Sequence, residues 1–262
     1  GVLLFDRSPF YAESGGQSGD AGVIEGKNFK AEVLDTQYLE KCIGHKVRVL
    51  SGSAKPGEKY SLKVTADRRL DIMKNHTATH LLHSALRKVL GDHVKQSGSL
   101  VAKDYLRFDF THFSAVDVKQ LSAIEALVNG EIQKNSKLNK RVMSKDEAVR
   151  EGAIAFFGEK YGDEVRVVTI GDFSKELCGG THLNSTGEIG LFKIVSEGSI
   201  QAGVRRIEAV TGRAAFEFVK NQKNEIMNLS REFGAGAETL PADLKKTQER
   251  VSLARNLMTQ LA

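Results

Sequence analysis

The sequence predicts an α+β protein in three parts: a small N-terminal β-barrel over residues 1–64, a mixed core over 65–211, and a helical, coiled-coil-like arm over 212–262. Three patterns predict it. Short apolar runs divided by Gly-rich breaks open the chain, a helical period sets in at Ala66, and a long, increasingly polar helical texture follows Gly212.

Taken in order, Val2–Phe5, Phe29–Leu34, Lys46–Leu50 and Tyr60–Thr65 read as strands of a small barrel or sandwich, with Phe10–Asp20 as the densest break. Leu70, Met73, Leu81, Ala85 and Val89 then recur every three or four residues, with Gly91 as a stop, and predict a helix over 66–90. Ser97–Val101 and Tyr105–Phe110 follow as paired strands. A second helix is expected from about Val116 to Lys134, with Ser114 and Asp117 offering a capping-box-like start. Val165–Ile170, Ile189–Val195 and Val204–Val210 read as further strands. In the arm, helix breaks at Phe233–Ala237 and resumes at Pro241, and Leu244, Val251, Leu253 and Leu257 fall at roughly heptad spacing.

Composition excludes whole classes. With 40% apolar and 27% charged residues the chain is neither disordered nor fibrous. It holds no run of roughly 20 apolar residues and its start lacks a signal peptide, so a soluble, cytoplasmic protein is expected, with no membrane partner. The 38 Lys and Arg against 33 Asp and Glu leave a net charge of only +5, which does not choose a partner. Basic clusters at 134–141, Arg68-Arg69 and Arg205-Arg206 are compatible with a polyanion and equally with a solvated surface. Cys42 and Cys178 are too few for a disulfide framework.

The chemistry concentrates in two places. In Asn75-His76-Thr77-Ala78-Thr79-His80 the histidines lie four apart on the predicted helix, offset by about 40° and about 6 Å, so they face the same way. In Cys178-Gly179-Gly180-Thr181-His182 a cysteine and a histidine, also four apart, sit in a Gly-containing turn. Together His76, His80, Cys178 and His182 form a His₃Cys set suited to tetrahedral zinc. Four protein ligands suit a closed structural site, whereas a catalytic zinc usually keeps one position open. Thr77 stands where a zincin protease needs its glutamate, which argues against that chemistry. His83 is a spare ligand on a different face, and His45, His93 and His112 have no partner at ligand spacing.

In order, Phe10-Tyr11-Ala12-Glu13-Ser14-Gly15-Gly16-Gln17, Asn75 to Leu82, Leu106-Arg107-Phe108-Asp109-Phe110, Cys178 to His182 and Gly203 to Ala209 closely resemble the editing region of alanyl-tRNA synthetases. Related motifs occur in free-standing alanyl-tRNA editing proteins and in the threonyl-tRNA synthetase editing domain. The resemblance implies a zinc-dependent deacylase that hydrolyses Ser-tRNA(Ala) and, less selectively, Gly-tRNA(Ala), in a fragment without the class II aminoacylation core. It places Gln96 in the pocket and Thr79 beside the metal, either able to contact a serine hydroxyl. Glu13 is one candidate proton acceptor, and Arg69, Arg205 and Arg206 are candidate phosphate contacts for the tRNA acceptor end. The rival readings are a non-catalytic, zinc-stapled tRNA-docking or dimerisation module, with self-association through the arm, and a free-standing editing protein.

Overall fold

The computed structural model describes residues 1–155 and 162–261. The chain divides into two units, Gly1–Ala215 and Phe216–Ala262. The first holds three antiparallel sheets and the helices that carry the candidate site.

The N-terminal sheet comprises β1 (Val2–Leu4), β2 (Gly22–Gly26), β3 (Phe29–Leu39), β4 (Cys42–Gly52) and β5 (Ser61–Val64). Its order is β1-β4-β3-β2-β5, so β1 and β5 are its two edges and the hydrogen-bonded ladder does not close into a ring. Side chains of β3 alternate, with Phe29, Ala31 and Val33 buried, until a bulge between Val33 and Asp35 shifts the parity and turns Thr36 inward. Phe10, Ile24, Phe29, Ala31, Val33 and Val47 make the small core of this sheet. Strand β2, framed by glycines and only five residues long, is not signalled by the sequence pattern.

Helix α1 (Ala66–Leu90) ends as expected at Gly91, whose φ of 114° disfavours any other residue and whose N–H bonds Arg87 O at 2.9 Å. The expected apolar stripe does not set its packing. Leu70 is 39% exposed, while the run from Asn75 to Leu86 is buried on every side, polar residues included. A helix covered all round must satisfy each polar group internally. Asn75 Nδ2 donates to Ala102 O at 2.8 Å, and its Oδ1 accepts from Thr211 Oγ1 at 2.7 Å.

A four-stranded sheet of β6 (Gln96–Val101), β7 (Leu106–Thr111), β11 (Phe192–Gln201) and β12 (Val204–Thr211) has the order β11-β12-β7-β6. Helix α2 (Val118–Gln133) and α1 share one core with it, centred on Leu82, Leu86, Phe108, Phe110, Ile124, Phe192 and Ile207. The cap of α2 lies three residues later than the Ser114 start expected: Gln120 N donates to Asp117 Oδ1 at 2.8 Å, and Asp117 N donates to Gln120 Oε1 at 3.0 Å. Ile189, expected in a strand, belongs instead to a 3-10 turn at Thr186–Ile189 closed by Ser185 and Glu188, so β11 begins at Phe192.

The third sheet joins β8 (Leu138–Ser144), β9 (Glu164–Ile170) and β10 (Ser174–Leu177) in the order β10-β9-β8, with a short helix α3 (Lys145–Arg150) after β8. The basic stretch 134–141 is therefore no single patch. Lys134 pairs with Glu131 at the end of α2, and Arg141 pairs with Glu151, both at 2.6 Å. In the second unit, helix α4 (Gly212–Glu232) runs in from the first, and α5 (Leu240–Leu261) follows. Val251, Leu253 and Leu257 are exposed on α5, so the heptad stripe has no coiled-coil partner among the described residues. No helix is long and apolar enough to cross a membrane among the described residues.

Candidate metal centre

His76 and His80 come from the buried stretch of α1, and Cys178 and His182 from the loop that leaves β10. One ligand atom from each lies within 4.8 Å of all the others. Cys178 Sγ is 3.3 Å from His76 Nε2 and 3.2 Å from His182 Nε2. A tetrahedral zinc with Zn–N near 2.0 Å and Zn–S near 2.3 Å would hold such atoms about 3.6 Å apart. The two cysteine–histidine pairs fit a zinc-sized ion after a small expansion, and the widest pairs of the cluster, up to 4.8 Å, would draw inward around it.

What lies behind each imidazole decides which nitrogen ligates. His76 Nδ1 donates to Gln17 Oε1 at 2.7 Å, an oxygen that also accepts from Thr181 N at 2.8 Å, and Gln17 Nε2 donates to Thr181 Oγ1 at 2.9 Å. His80 Nδ1 is held by the Glu176 carboxylate, which also takes His83 Nδ1 at 2.9 Å. His182 Nδ1 lies 3.4 Å from Thr77 Oγ1. Every ligand histidine thus has its Nδ1 engaged by a second residue, which orients Nε2 as the metal-binding nitrogen.

Electrostatics agree with the donor set at Cys178 and His182. At His80 burial is outweighed by the charges of Glu176 and Cys178, which raise it to about 10, so a metal would have to displace a proton from that ring. Burial would raise the Cys178 thiol, but the imidazoles of His76, His182 and His80 hold it well below the ordinary range, toward the thiolate a metal needs. Burial, with His76 alongside, pushes His182 down to about 3 and keeps that ring in its neutral, ligating form. Burial works against ionisation of Glu176, yet His80 and His83 hold it down at about 2. Its charge sits directly behind a ligand.

The loop itself is tightly fitted. Gly180 N donates toward Cys178 Sγ at 3.4 Å, and Arg166 on β9 donates Nε to Cys178 O at 2.8 Å and a second nitrogen to Gly180 O. A Cβ on Gly180 would stand 2.0 Å from His76 Cε1. Only glycine lets the loop pass this close to the ring.

The ligands open onto a cavity of about 190 Å³, lined by Tyr11, Thr79, Gln96 and Ser99 together with His76, His80 and Cys178. At roughly 30 Å³ per water this is space for about six waters, or a small aminoacyl group. Gln96 begins β6 at a bulge between Gln96 and Gly98, a device that re-aims a side chain. Thr79 bonds Asn75 O within α1 at 2.8 Å. A larger groove of about 710 Å³, lined by Arg87, Lys88, Phe173 and Lys175, contains none of the four ligands.

The structure therefore brings Thr79, Gln96 and the four ligands together. Glu13 is exposed, its amide bonded to Thr36 O, and it is not among the cavity-lining residues. Each of the three arginines faces a carboxylate of its own chain. Arg69 grips buried Asp20 and also bonds Pro9 O. Arg205 forks onto Glu197 at 2.6 and 2.7 Å, and Arg206 onto Asp109 at 2.7 and 2.8 Å. Sequence reasoning missed Gln17, Thr77, Arg166 and Glu176. Gln17 closes the quoted Phe10–Gln17 motif and Glu176 stands two residues before Cys178, which were the only signals.

Two family models match the sequence: "Threonyl and Alanyl tRNA synthetase second additional domain" at residues 165–208, and "tRNA synthetases class II (A)" at residues 1–68. The class II likeness of residues 1–68 was not foreseen from the residues. Along its length the chain is similar to alanine–tRNA ligase 1 of Lachnoclostridium phytofermentans, at 51% identity over 262 residues, covering 100% of this chain and 29% of that protein. It is 48% identical to the alanine–tRNA ligases of Thermotoga maritima and Thermotoga petrophila, covering 98% of this chain and 30% of each. The chain thus spans under a third of these relatives.

Proposed function

We propose, starting from a chain that matches the alanyl-tRNA synthetase editing-region family along its length, that its cavity hydrolyses the ester of Ser-tRNA(Ala) and Gly-tRNA(Ala) in the cytoplasm. The observation that carries this reading is the joining of a His₃Cys cluster to a small cavity holding Thr79 and Gln96. In this reading residues 1–64 form a subdomain built on the open five-stranded sheet, 65–211 the deacylase core, and 212–262 a helical arm.

Discrimination against serine by an alanine-sized activation pocket is limited, and a pocket cannot exclude the smaller glycine, so a second site that inspects the product is needed. Gln96 and Thr79 supply polar groups for the serine hydroxyl. With alanine bound those groups lose a partner, at about 1–3 kcal/mol for each buried group left unpaired, and Ala-tRNA is spared.

His76, His80, Cys178 and His182 would hold the zinc ion, which supplies a Lewis acid for the ester carbonyl. Gln17, Glu176 and Thr77 keep the three rings in register. The α1 backbone and the Arg166-braced loop fix the cavity walls on either side of the aminoacyl group. Water adds to the ester carbonyl, the acyl C–O bond to the ribose breaks, and the proton that water gives up passes directly or through solvent to the departing ribose oxygen, since Glu13 lies outside the cavity lining.

The full complement of four protein ligands favours a second reading, a non-catalytic module that docks tRNA or dimerises through the arm. Incubation with Ser-tRNA(Ala) and Ala-tRNA(Ala) separates the two. Release of serine with alanine left in place is expected; release of neither overturns the deacylase reading.

A further inference from the structure

Three of the chain's arginines that sequence reasoning assigned to phosphate are spent on carboxylates, which raises the question of where cationic charge near the metal loop is not neutralised. Two side chains stand out. Arg166 on β9 and Lys140 on β8 both reach the loop from Cys178 to His182, and neither has a carboxylate partner within ion-pair distance among the described residues.

Their placement follows from strand register. In the antiparallel ladder Val142 faces Arg166 and Lys140 faces Val168, so Lys140 and Arg166 are diagonal neighbours on one face of the sheet. Lys140 Nζ donates to His182 O at 3.0 Å and approaches Asn184 Oδ1 at 3.3 Å, while Arg166 holds the carbonyls of Cys178 and Gly180. Three carbonyls of the metal loop are thus gripped by two adjacent cations. Lys140 is exposed and Arg166 partly exposed, so an anion can approach both from solvent.

Neutral carbonyls do not cancel two like charges held side by side. Asn184, whose side chain Lys140 Nζ also approaches, is neutral, and the neighbouring Glu188 is occupied with Asn184 N and Ser185 N at 3.0 and 2.8 Å. Elsewhere in the unit the chain neutralises its paired strand arginines directly, as Glu197 and Asp109 do. The charge of Arg166 also reaches Tyr11, whose phenol is raised by burial and lowered in part by that guanidinium. Cys178 and Gly180, whose carbonyls Arg166 holds, line the cavity, so Arg166 stands behind that wall with Lys140 beside it on the same sheet face.

We propose that Arg166 and Lys140 form a phosphate-binding pair that receives a backbone phosphate next to the 3′ end of an RNA seated in the metal cavity. Arg166 braces the loop through Nε and one terminal nitrogen and offers its remaining N–H groups to the phosphate, and Lys140 adds a point charge. The inference rests on the reading of this cavity as a tRNA-editing site and adds to it the anchor for the RNA backbone.

The test is the salt dependence of binding between the full chain and an unacylated RNA hairpin carrying an acceptor stem and a single-stranded 3′ end. One phosphate contact contributes close to one unit of slope in log affinity against log salt, about a threefold change between 50 and 200 mM. Lys140→Gln is expected to flatten the slope by about one, Lys140→Arg to restore it, and Lys30→Gln, in a lysine paired with Glu25, to leave it unchanged. Zinc content and melting midpoint are measured on each variant. A slope unchanged in Lys140→Gln, with the parent chain binding in a salt-dependent way, overturns the phosphate pair and leaves the editing reading standing. An absence of salt-dependent binding by the parent chain overturns both. Should Lys140→Gln lose zinc or fail to fold, acetylation of Lys140 in the parent chain, read by mass spectrometry with and without the hairpin, decides the matter. Protection of several-fold supports the pair, and equal labelling overturns it.

Discussion

Replacing Gly180 by alanine is the sharpest perturbation of the proposed metal centre. The added Cβ would lie 2.0 Å from His76 Cε1, 2.4 Å from His76 Nδ1 and 2.8 Å from Gln17 Oε1. Ordinary contact begins near 3.4 Å, so the ring and the loop must separate by about 1.4 Å. Metal–ligand distances tolerate about 0.2 Å. If the ring yields, His76 leaves the cluster and breaks its bond to Gln17. If the loop yields, it carries Cys178 and His182 with it. Either way a ligand is lost, and the zinc dissociation constant should rise at least 100-fold, about 2.7 kcal/mol. Gly179 next door supplies the control, because a Cβ there meets nothing within 4 Å. Competition for zinc against a chelator of known affinity measures both variants. A Gly180→Ala protein that binds zinc within threefold of Gly179→Ala would refute the placement of the loop against His76.

Two further outcomes follow from residues around the site and the N-terminal sheet. Glu176→Gln keeps the shape of the side chain and removes the charge behind His80 and His83; zinc affinity should fall 10–100-fold, and cobalt substitution should show a shifted visible absorption band, with an unaltered band and affinity counting against the orienting role. His45 is buried between Ser8 Oγ at 2.7 Å and Leu3 O at 3.1 Å, against Phe5 and Phe10, and burial lowers its pKa below the unfolded value of about 6.5. The unfolded chain therefore binds the extra proton first, so this contribution to stability is intact above pH 6.5 and is lost as pH falls below it. Denaturation midpoints should drop between pH 7 and 5 in the parent chain and drop less in His45→Gln; superimposable profiles would remove His45 from the account.

Local signals carried the elements whose boundaries depend on local chemistry. Helix α1 ends at Gly91 because a positive φ there needs glycine, and β12 and β9 follow β-branched runs. The same signals failed where neighbours decide. Gly22–Gly26 is a strand because it lies between β3 and β5, which satisfy both of its edges; Val23 and Ile24 favour a strand, but a two-residue signal between glycines is too short to read alone. The basic stretch 134–141 reads as a solvated surface or a polyanion site, yet its second half, from Leu138, pairs residue for residue with β9. Ile189 reads as strand and is held in a 3-10 turn by the reciprocal Ser185 and Glu188 bonds.

The same division separates the ligands from the residues that orient them. A helix and a tight turn each encode their own pair of ligands through spacing of four, so His76, His80, Cys178 and His182 are legible before any fold is known. Gln17 is 59 residues from His76, and Glu176 is 96 residues from His80, and no periodicity links positions that meet only through tertiary packing. The charges failed for a related reason. An arginine in sequence looks equally suited to phosphate or carboxylate, and its partner settles the matter. Arg205 and Arg206 find Glu197 and Asp109 across their sheet, whereas Arg166 finds three-dimensional neighbours that are carbonyls and another cation. That difference in partners, invisible in the basic runs of the sequence, is what directs the phosphate proposal to Arg166 and Lys140 and away from Arg205 and Arg206.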